Sequence, residues 1–377
     1  VEKERYIPSP HPNTWIDHES HARPGIWPYP DRLHVLTVLF NPPRFRNRYE
    51  LYRAFSKRVA DSSAILHTCE IAFGGRHFEV TEPGNPYHLQ LRTSHELWLK
   101  ENALNVLLQH ARRLHPEMKH VAWIDADVQF ARPDWAQETL HQLAHFQILQ
   151  MFSHAQDLGP QGEPYGEIRP GFMWSYLHER PTPHDMPEGW DWATNGHTVA
   201  DGVGPTDCYY PPERAGRGRI SWRFTHPGFA WAARVSALDS IATAGYGPLP
   251  DYAVLGSGDY HLSCALVGHV EYSLSPAMPK RYQELCYQLQ TMTEKHIRRN
   301  VGAVDGIVLH GWHGRREARL YDKRWKFLKV ADFNPDLDLK RDTQGLWQLE
   351  DRGDSSIVLR DGLRAYARLR NEDGNAV

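Results

Sequence analysis

The chain is poor in cysteine, with four in 377 residues. Cys69, Cys208, Cys264 and Cys286 are widely spaced and form no Cys-x-x-Cys pair. That excludes a small disulfide-stapled scaffold and fits a reducing compartment. Long apolar runs are lacking too, since no stretch reaches the roughly 18 residues that a membrane span requires. Asn-x-Ser/Thr does not occur, and the first residues show no charged-then-apolar leader pattern. An excess of one charge is also missing. Forty-three basic side chains stand against forty-six acidic ones, which excludes a general nucleic-acid coat and leaves only local patches. Arg44, Arg46 and Arg48 form one patch, and Arg214, Arg217 and Arg219 another. A third runs through Arg315, Arg316 and Arg319 to Lys323, Arg324 and Lys326. Each reads first as solvated surface. Together these absences describe a soluble cytoplasmic protein, with no membrane contact and no obligate protein partner inferred.

What the chain does have is alternation. Residues 1–32 are rich in Pro, His and Trp without periodicity and read as an irregular arm. LHVLTVLFN, from Leu33, reads as a buried strand. A helix follows over about Asn47 to Ala60, and then a second strand, AILHTCEIAF. This β-α-β grammar implies a parallel sheet. Thr93-Ser94-His95-Glu96 has capping-box spacing ahead of a helix that carries Leu97, Leu104, Leu108 and Ala111 on one face. An amphipathic helix around Asp134 to His145 and the strand FQILQMF continue the pattern, which is that of an α/β fold. From Asp157 to about Trp222 the alternation is lost among Gly, Pro, Trp, Tyr and His, and a stretch of this kind is usually functional. Farther on, Gly268 is placed to close a helix begun near Asp259, and another helix is expected near Ser356 to Leu369.

The densest chemical signal is VAWIDADVQF, residues 121 to 130. An apolar strand delivers Asp125 and Asp127 at its carboxyl end, where ligands collect in open α/β sheets. Mg²⁺ or Mn²⁺ takes hard oxygen ligands, uses one or two protein carboxylates and leaves the rest to phosphate and water. The same pair also suits an Asx-turn. Two later segments bear on the choice. GSGDYH places Asp259 at a helix start, where it reads either as an N-cap or as a general base. GIVLHGWHG offers His310 and His313 as imidazole ligands, although one such pair is expected by chance among 23 histidines.

Taken in order, the opening strand with its basic residues, the Asp-x-Asp strand, GSGD and LHGWHG resemble the glycosyltransferases of the GT-A fold, over roughly Leu33 to Trp325. The resemblance implies a mixed, mainly parallel sheet flanked by helices, with an irregular insertion. It divides the chain into the arm 1–32, a catalytic domain 33–333 with acceptor-side insertion 157–222, and a C-terminal extension 334–377. It implies a nucleotide-sugar donor, uridine diphosphate-linked, held by Thr37, Asn41, Arg44, Lys100, Asn102 and Asp125. Asp127, with His310 and His313, would hold Mn²⁺ or Mg²⁺, and the imidazoles favour Mn²⁺. Asp259 would be the base of an inverting transfer, and Trp231 and Asp251 would contact sugar and acceptor.

ELWLKEN, WIDADV, RPDWAQETLHQL and QMFSHAQDLGP resemble bacteriophage glycosyltransferases, some of which modify hydroxymethylated pyrimidines in DNA. That resemblance implies a DNA acceptor and residence in the host cytoplasm. A glycan or small-molecule acceptor stays open. Two further classes also do: a metal-dependent phosphoesterase using Asp125, Asp127, His310 and His313, and a non-catalytic glycan- or DNA-binding module.

Overall fold

The computed structural model describes residues 32–178, 225–314 and 325–374. The arginines at 214, 217, 219, 315, 316, 319 and 324, with Lys323, Cys208 and most of the 157–222 insertion, lie outside them. In chain order the elements begin with β1 (His34–Phe40), α1 (Arg46–Ala60), β2 (Ile65–Phe73), β3 (His88–Thr93), α2 (Lys100–Leu114) and β4 (His120–Ile124). Then come β5 (Val128–Phe130), α3 (Trp135–Leu143), β6 (Ile148–Gln150), β7 (His154–Leu158), β8 (Pro164–Pro170) and α4 (Phe172–Leu177). After the insertion follow β9 (Ala230–Arg234), α5 (Val235–Ile241), α6 (Gly258–Leu266), α7 (Lys280–His296), β10 (Val301–Ala303) and β11 (Ile307–His310). The chain closes with α8 (Trp325–Val330), α9 (Pro335–Asp338), β12 (Leu339–Arg341), β13 (Trp347–Leu349) and α10 (Asp354–Leu369).

Seven strands form the main sheet in the order β10-β6-β9-β4-β1-β2-β3. All neighbours run parallel except at β9, which is antiparallel to both β4 and β6. This is the mixed, mainly parallel α/β architecture that the GT-A resemblance implies. Each central strand feeds two cores, because successive side chains point to opposite faces. Leu36, Val121, Trp123, Trp231 and Ala233 join the core beneath α2, α6 and α7, whereas Val35, Ala122, Ile124, Ala230 and Ala232 join the one beneath α1 and α3. Burial on both faces explains why these strands read as continuous apolar runs.

Two expectations shift. The capping box at Thr93 does not start a helix: Thr93 ends β3, its hydroxyl accepts from the His95 N–H, and α2 begins only at Lys100. Glu96 instead faces Arg364 and Arg368 of α10. The region after Asp157 is not wholly irregular, since β7 and β8 form an antiparallel hairpin through Pro170. β8 is largely exposed and bounded by prolines, so it carries little apolar pattern.

The C-terminal residues pack into the body. Leu339, Leu346, Trp347, Leu349, Leu359, Leu363 and Tyr366 belong to the first core. Beyond α10, Glu372 receives Arg48 and Arg370, and the Asp373 carboxylate accepts the backbone N–H groups of Arg46 and Asn47 at the start of α1. Trp312 Nε1 donates to the Gly374 carbonyl, and Asn47 Nδ2 donates to that of Trp312. The tail therefore latches the loop carrying His313 to the amino end of α1.

Candidate active site

Strand pairing assembles the first cluster. β4 ends at Ile124, and the Asp125 N–H donates to the Phe229 carbonyl at 2.8 Å. The chain turns there into β5, which pairs antiparallel with β11. In that register His310 lies opposite Val128, next to Asp127, while on its other side the parallel β11–β7 ladder sets His310 opposite Asp157. The Gly311 N–H then donates to the Asp127 carbonyl at 2.8 Å. A Cβ on Gly311 would meet Leu51 Cδ2 at 2.4 Å and the Asp127 carbonyl oxygen at 3.2 Å, so the close approach needs glycine.

His310 Nε2 lies 3.7 Å from Asp127 Oδ1, and His313 Nδ1 lies 3.4 Å from Asp127 Oδ2. One ligand atom from each of the three residues can be chosen so that all lie within 4.8 Å of one another. Asp127 Oδ1 is buried without a hydrogen-bond partner, and 3.7 Å is too long for one. An orphaned carboxylate oxygen among imidazole nitrogens fits a divalent cation. The outer support fits as well, because His310 Nδ1 lies 2.8 Å from Asp157 Oδ1, and Asp157 is held in turn by Arg169. A carboxylate behind a ligating imidazole fixes its tautomer and orientation.

The charges agree with this arrangement. Burial disfavours a charged Asp127, but His310 and His313 outweigh it and hold the carboxyl well below its ordinary range. Burial likewise disfavours an imidazolium at His310, yet Asp127 and Asp157 raise it to about 9. Without metal this histidine carries a proton between two carboxylates, and a cation bound there must displace it.

A second group adjoins the first through Asp125. Lys100, the first residue of α2, places Nζ 2.6 Å from Asp125 Oδ1 and 3.7 Å from Asp259 Oδ2. Burial works against the Lys100 charge, but Asp125, Asp259 and Glu101 hold it above its usual range. Asp125 is itself shifted upward by burial, against the pull of Lys100. Asp259 is the second residue of α6, behind the N-cap Ser257 in a left-handed conformation with φ of 73°. It is therefore not the N-cap. A Cβ on Gly228 would meet Asp259 Oδ2 at 2.4 Å, so glycine makes room for the carboxylate.

Lys100, Glu101, Trp123, Phe229, Trp231 and Asp259 line one narrow cleft. Phe229 joins the two groups: it lines this cleft, its ring centroid lies 4.1 Å from that of His310, and it has φ of 76°. A non-glycine residue in that region stores about 1 kcal/mol or more, and such strain gathers at functional sites.

The remaining sequence candidates have other surroundings. Thr37 is buried and donates its hydroxyl to the Ile124 carbonyl, tying β1 to β4. Asn41 closes the turn to Phe45 through both side-chain atoms. Arg44 pairs with Glu79 at 2.6 Å. Asn102 binds the backbone of Gly345 and Trp347, securing the β12–β13 hairpin. Asp251 is buried against Arg341 Nη2 at 2.8 Å. Trp231 is stacked on Trp123 and donates Nε1 to the Pro227 carbonyl, leaving only part of its ring for the cleft. Among the described arginines, Arg46 pairs with Glu50 and Arg48 with Glu372, so that patch is largely neutralised.

Sequence reasoning missed Asp157, Arg169, Phe229 and Glu101. Glu101 stands out, since burial, with Asp259 adding and Lys100 opposing, raises it to about 8, and its Oε2 has no hydrogen-bond partner.

No family model matches the chain, and no curated protein matches it significantly. Among solved structures it is similar to a putative nucleotide-diphospho-sugar transferase from Desulfovibrio desulfuricans G20, with 12% identity, 90% of this chain and 97% of that one covered, and a TM-score of 0.30. It is also similar to a glycosyltransferase involved in glycosylation of the major capsid of PBCV-1, with 11% identity, 49% and 79% covered, and a TM-score of 0.20.

Proposed function

We propose that the chain is a metal-dependent glycosyltransferase that moves a hexosyl or pentosyl group from a nucleotide sugar, uridine diphosphate-linked, to a hydroxyl acceptor with inversion. The carrying observation is the set Asp127, His310 and His313 beyond the carboxyl ends of β4 and β11, with Lys100, Asp125 and Asp259 beside it. A mixed oxygen and imidazole set favours Mn²⁺ over Mg²⁺. When bound, such a cation offsets the charge that grows on a departing nucleoside diphosphate.

The chain's own residues have separate tasks. Asp157 and Arg169 hold His310 in orientation. Lys100 fixes Asp125 on the nucleotide side of the cleft and Asp259 on the other, and it adds a cation close to the leaving group. Asp259 takes the acceptor hydroxyl proton as the oxygen bonds to the anomeric carbon and the bond to the diphosphate breaks. Trp123, Phe229 and Trp231 wall this step with apolar surface, which strengthens the charged contacts inside. Thr37, Asn41, Asn102 and Asp251 act through the scaffold, by the contacts that occupy them.

For the acceptor we infer hydroxymethylated pyrimidine in DNA, and support for this comes from the sequence motifs alone. Arg44, Arg46 and Arg48 are engaged in ion pairs and add none. The test is a thermal melt against common nucleotide sugars with Mn²⁺, since a ligand bound only by the folded chain raises the midpoint with saturation. Transfer is then assayed on hydroxymethyl-pyrimidine DNA and on glycans. No stabilisation by any donor would overturn the reading, and free sugar released in equal amount to diphosphate would point to the phosphoesterase. Transfer to glycans with none to DNA would overturn the acceptor only.

A further inference from the structure

A second ring cluster lies at the other end of the sheet from Asp127. His34 opens β1, His67 is the third residue of β2, and His115 follows α2 as its C-terminal cap. The β1–β2 register sets Leu36 opposite His67, so His34 and His67 point to one face, the face on which α2 packs. His34 Nδ1 lies 3.0 Å from His67 Nε2, and the ring of His115 lies 4.7 Å and 5.7 Å from theirs, centroid to centroid. Among the described residues only this trio and the Asp127 set bring three ligand atoms within 4.8 Å of one another.

Three separate elements thus deliver three imidazoles to one point, and His34 and His67 are buried there. Around a tetrahedral ion with Zn–N bonds of 2.0–2.1 Å, ligand nitrogens stand about 3.3 Å apart, close to the His34–His67 separation. A hydrogen bond between these nitrogens uses the lone pair of only one of them, whereas an ion uses both. His115 has the support expected of a ligand, with Nδ1 3.3 Å from Glu117 Oε1. A cation here also meets the negative end of the α2 dipole.

We propose that His34, His67 and His115 form a second metal site, selective for a borderline divalent ion such as Zn²⁺, which clamps the amino ends of β1 and β2 to the carboxyl end of α2. An all-imidazole set has no hard oxygen ligand and discriminates against Mg²⁺ and Mn²⁺. His115 is the partly exposed member of the trio, and its ring is stacked against Tyr87. The site is independent of the transferase reading and stands whether or not sugar transfer is found.

The test uses the full chain carrying Asp127→Ala, which weakens the first site. After loading with Zn²⁺ and exchange into metal-free buffer, elemental analysis is expected to find one equivalent per chain. Co²⁺ in its place is expected to give the intense visible bands of a tetrahedral site. Adding His115→Ala, a change at a partly exposed position, should lower Zn²⁺ affinity at least about 100-fold and abolish those bands with circular dichroism unchanged. His67→Gln should do the same, and in the otherwise wild-type chain His115→Ala should remove one equivalent. Absence of retained Zn²⁺, or retention and spectra indifferent to His115→Ala, would overturn the proposal and leave a hydrogen-bonded histidine stack.

Discussion

Glu101 gives the sharpest prediction. Its carboxyl is buried at the start of α2, with Oε2 unpartnered and the amino end of α6 packed so closely that a Cβ on Gly258 would meet it at 2.6 Å. Burial first, and then Asp259 against the pull of Lys100, raises it from 4.5 to about 8. Between those values the folded chain holds a proton that the unfolded chain releases. Its contribution to stability is therefore complete below pH 4.5 and is lost as pH rises towards 8. The interval from 4.5 to about 8, at about 1.36 kcal/mol per pH unit, sets an upper bound of about 5 kcal/mol. Glu101→Gln keeps the shape of the protonated acid and cannot ionise. Urea denaturation of both proteins, with metal chelated, at pH 5 and at pH 8 isolates the effect of Glu101 and of its coupling to Lys100, Asp125 and Asp259, because titrating groups that do not sense Glu101 cancel in the difference. The variant is expected to gain several kcal/mol on the wild type across that interval. A difference that is the same at both pH values would refute an uncharged Glu101 in the folded state.

Four other perturbations probe the site and its support. Asp127→Asn should abolish Mn²⁺-dependent stabilisation by a nucleotide sugar in a thermal melt and lower kcat/KM by about 100-fold or more. Asp157→Asn leaves the ligands in place but removes the anion behind His310, so Mn²⁺ affinity by calorimetry should fall about 10- to 100-fold. Asp259→Asn should lower kcat about 100- to 10,000-fold while the donor dissociation constant stays nearly unchanged. Equal loss of donor binding would remove the base role. Glu372→Gln deprives Arg48 and Arg370 of their shared buried carboxylate, and denaturant titration should show a loss of about 3–5 kcal/mol.

How far these features could be read in advance depends on whether one segment or several determine them. β1, β2 and β4 were legible because each is buried on both faces and so is mainly apolar, and α1 and α10 because their apolar faces recur at helical spacing. Asp127, His310 and His313 were legible as residue types at the ends of such strands. Asp157 was not, because its role comes from the β7–β11 register, which pairs it with His310 across 153 residues. Glu101 was not legible for a similar reason. A run of three polar residues opening a helix reads as a wet face, yet Glu101 and Asn102 are buried because α6 and the β12–β13 hairpin close over the amino end of α2. Burial then changes what the residues do: Asn102 becomes a backbone tether, Glu101 holds a proton, and Lys100 keeps its charge only through its carboxylates. The motif therefore carries the ligand types, while the protonation states and orientations that let those ligands act come from contacts made by distant segments. It follows that substitutions at Asp157, Glu101 and Glu372, which lie outside WIDADV, GSGDYH and LHGWHG, should alter metal affinity, pH response and stability as distinctly as substitutions within those three segments alter turnover.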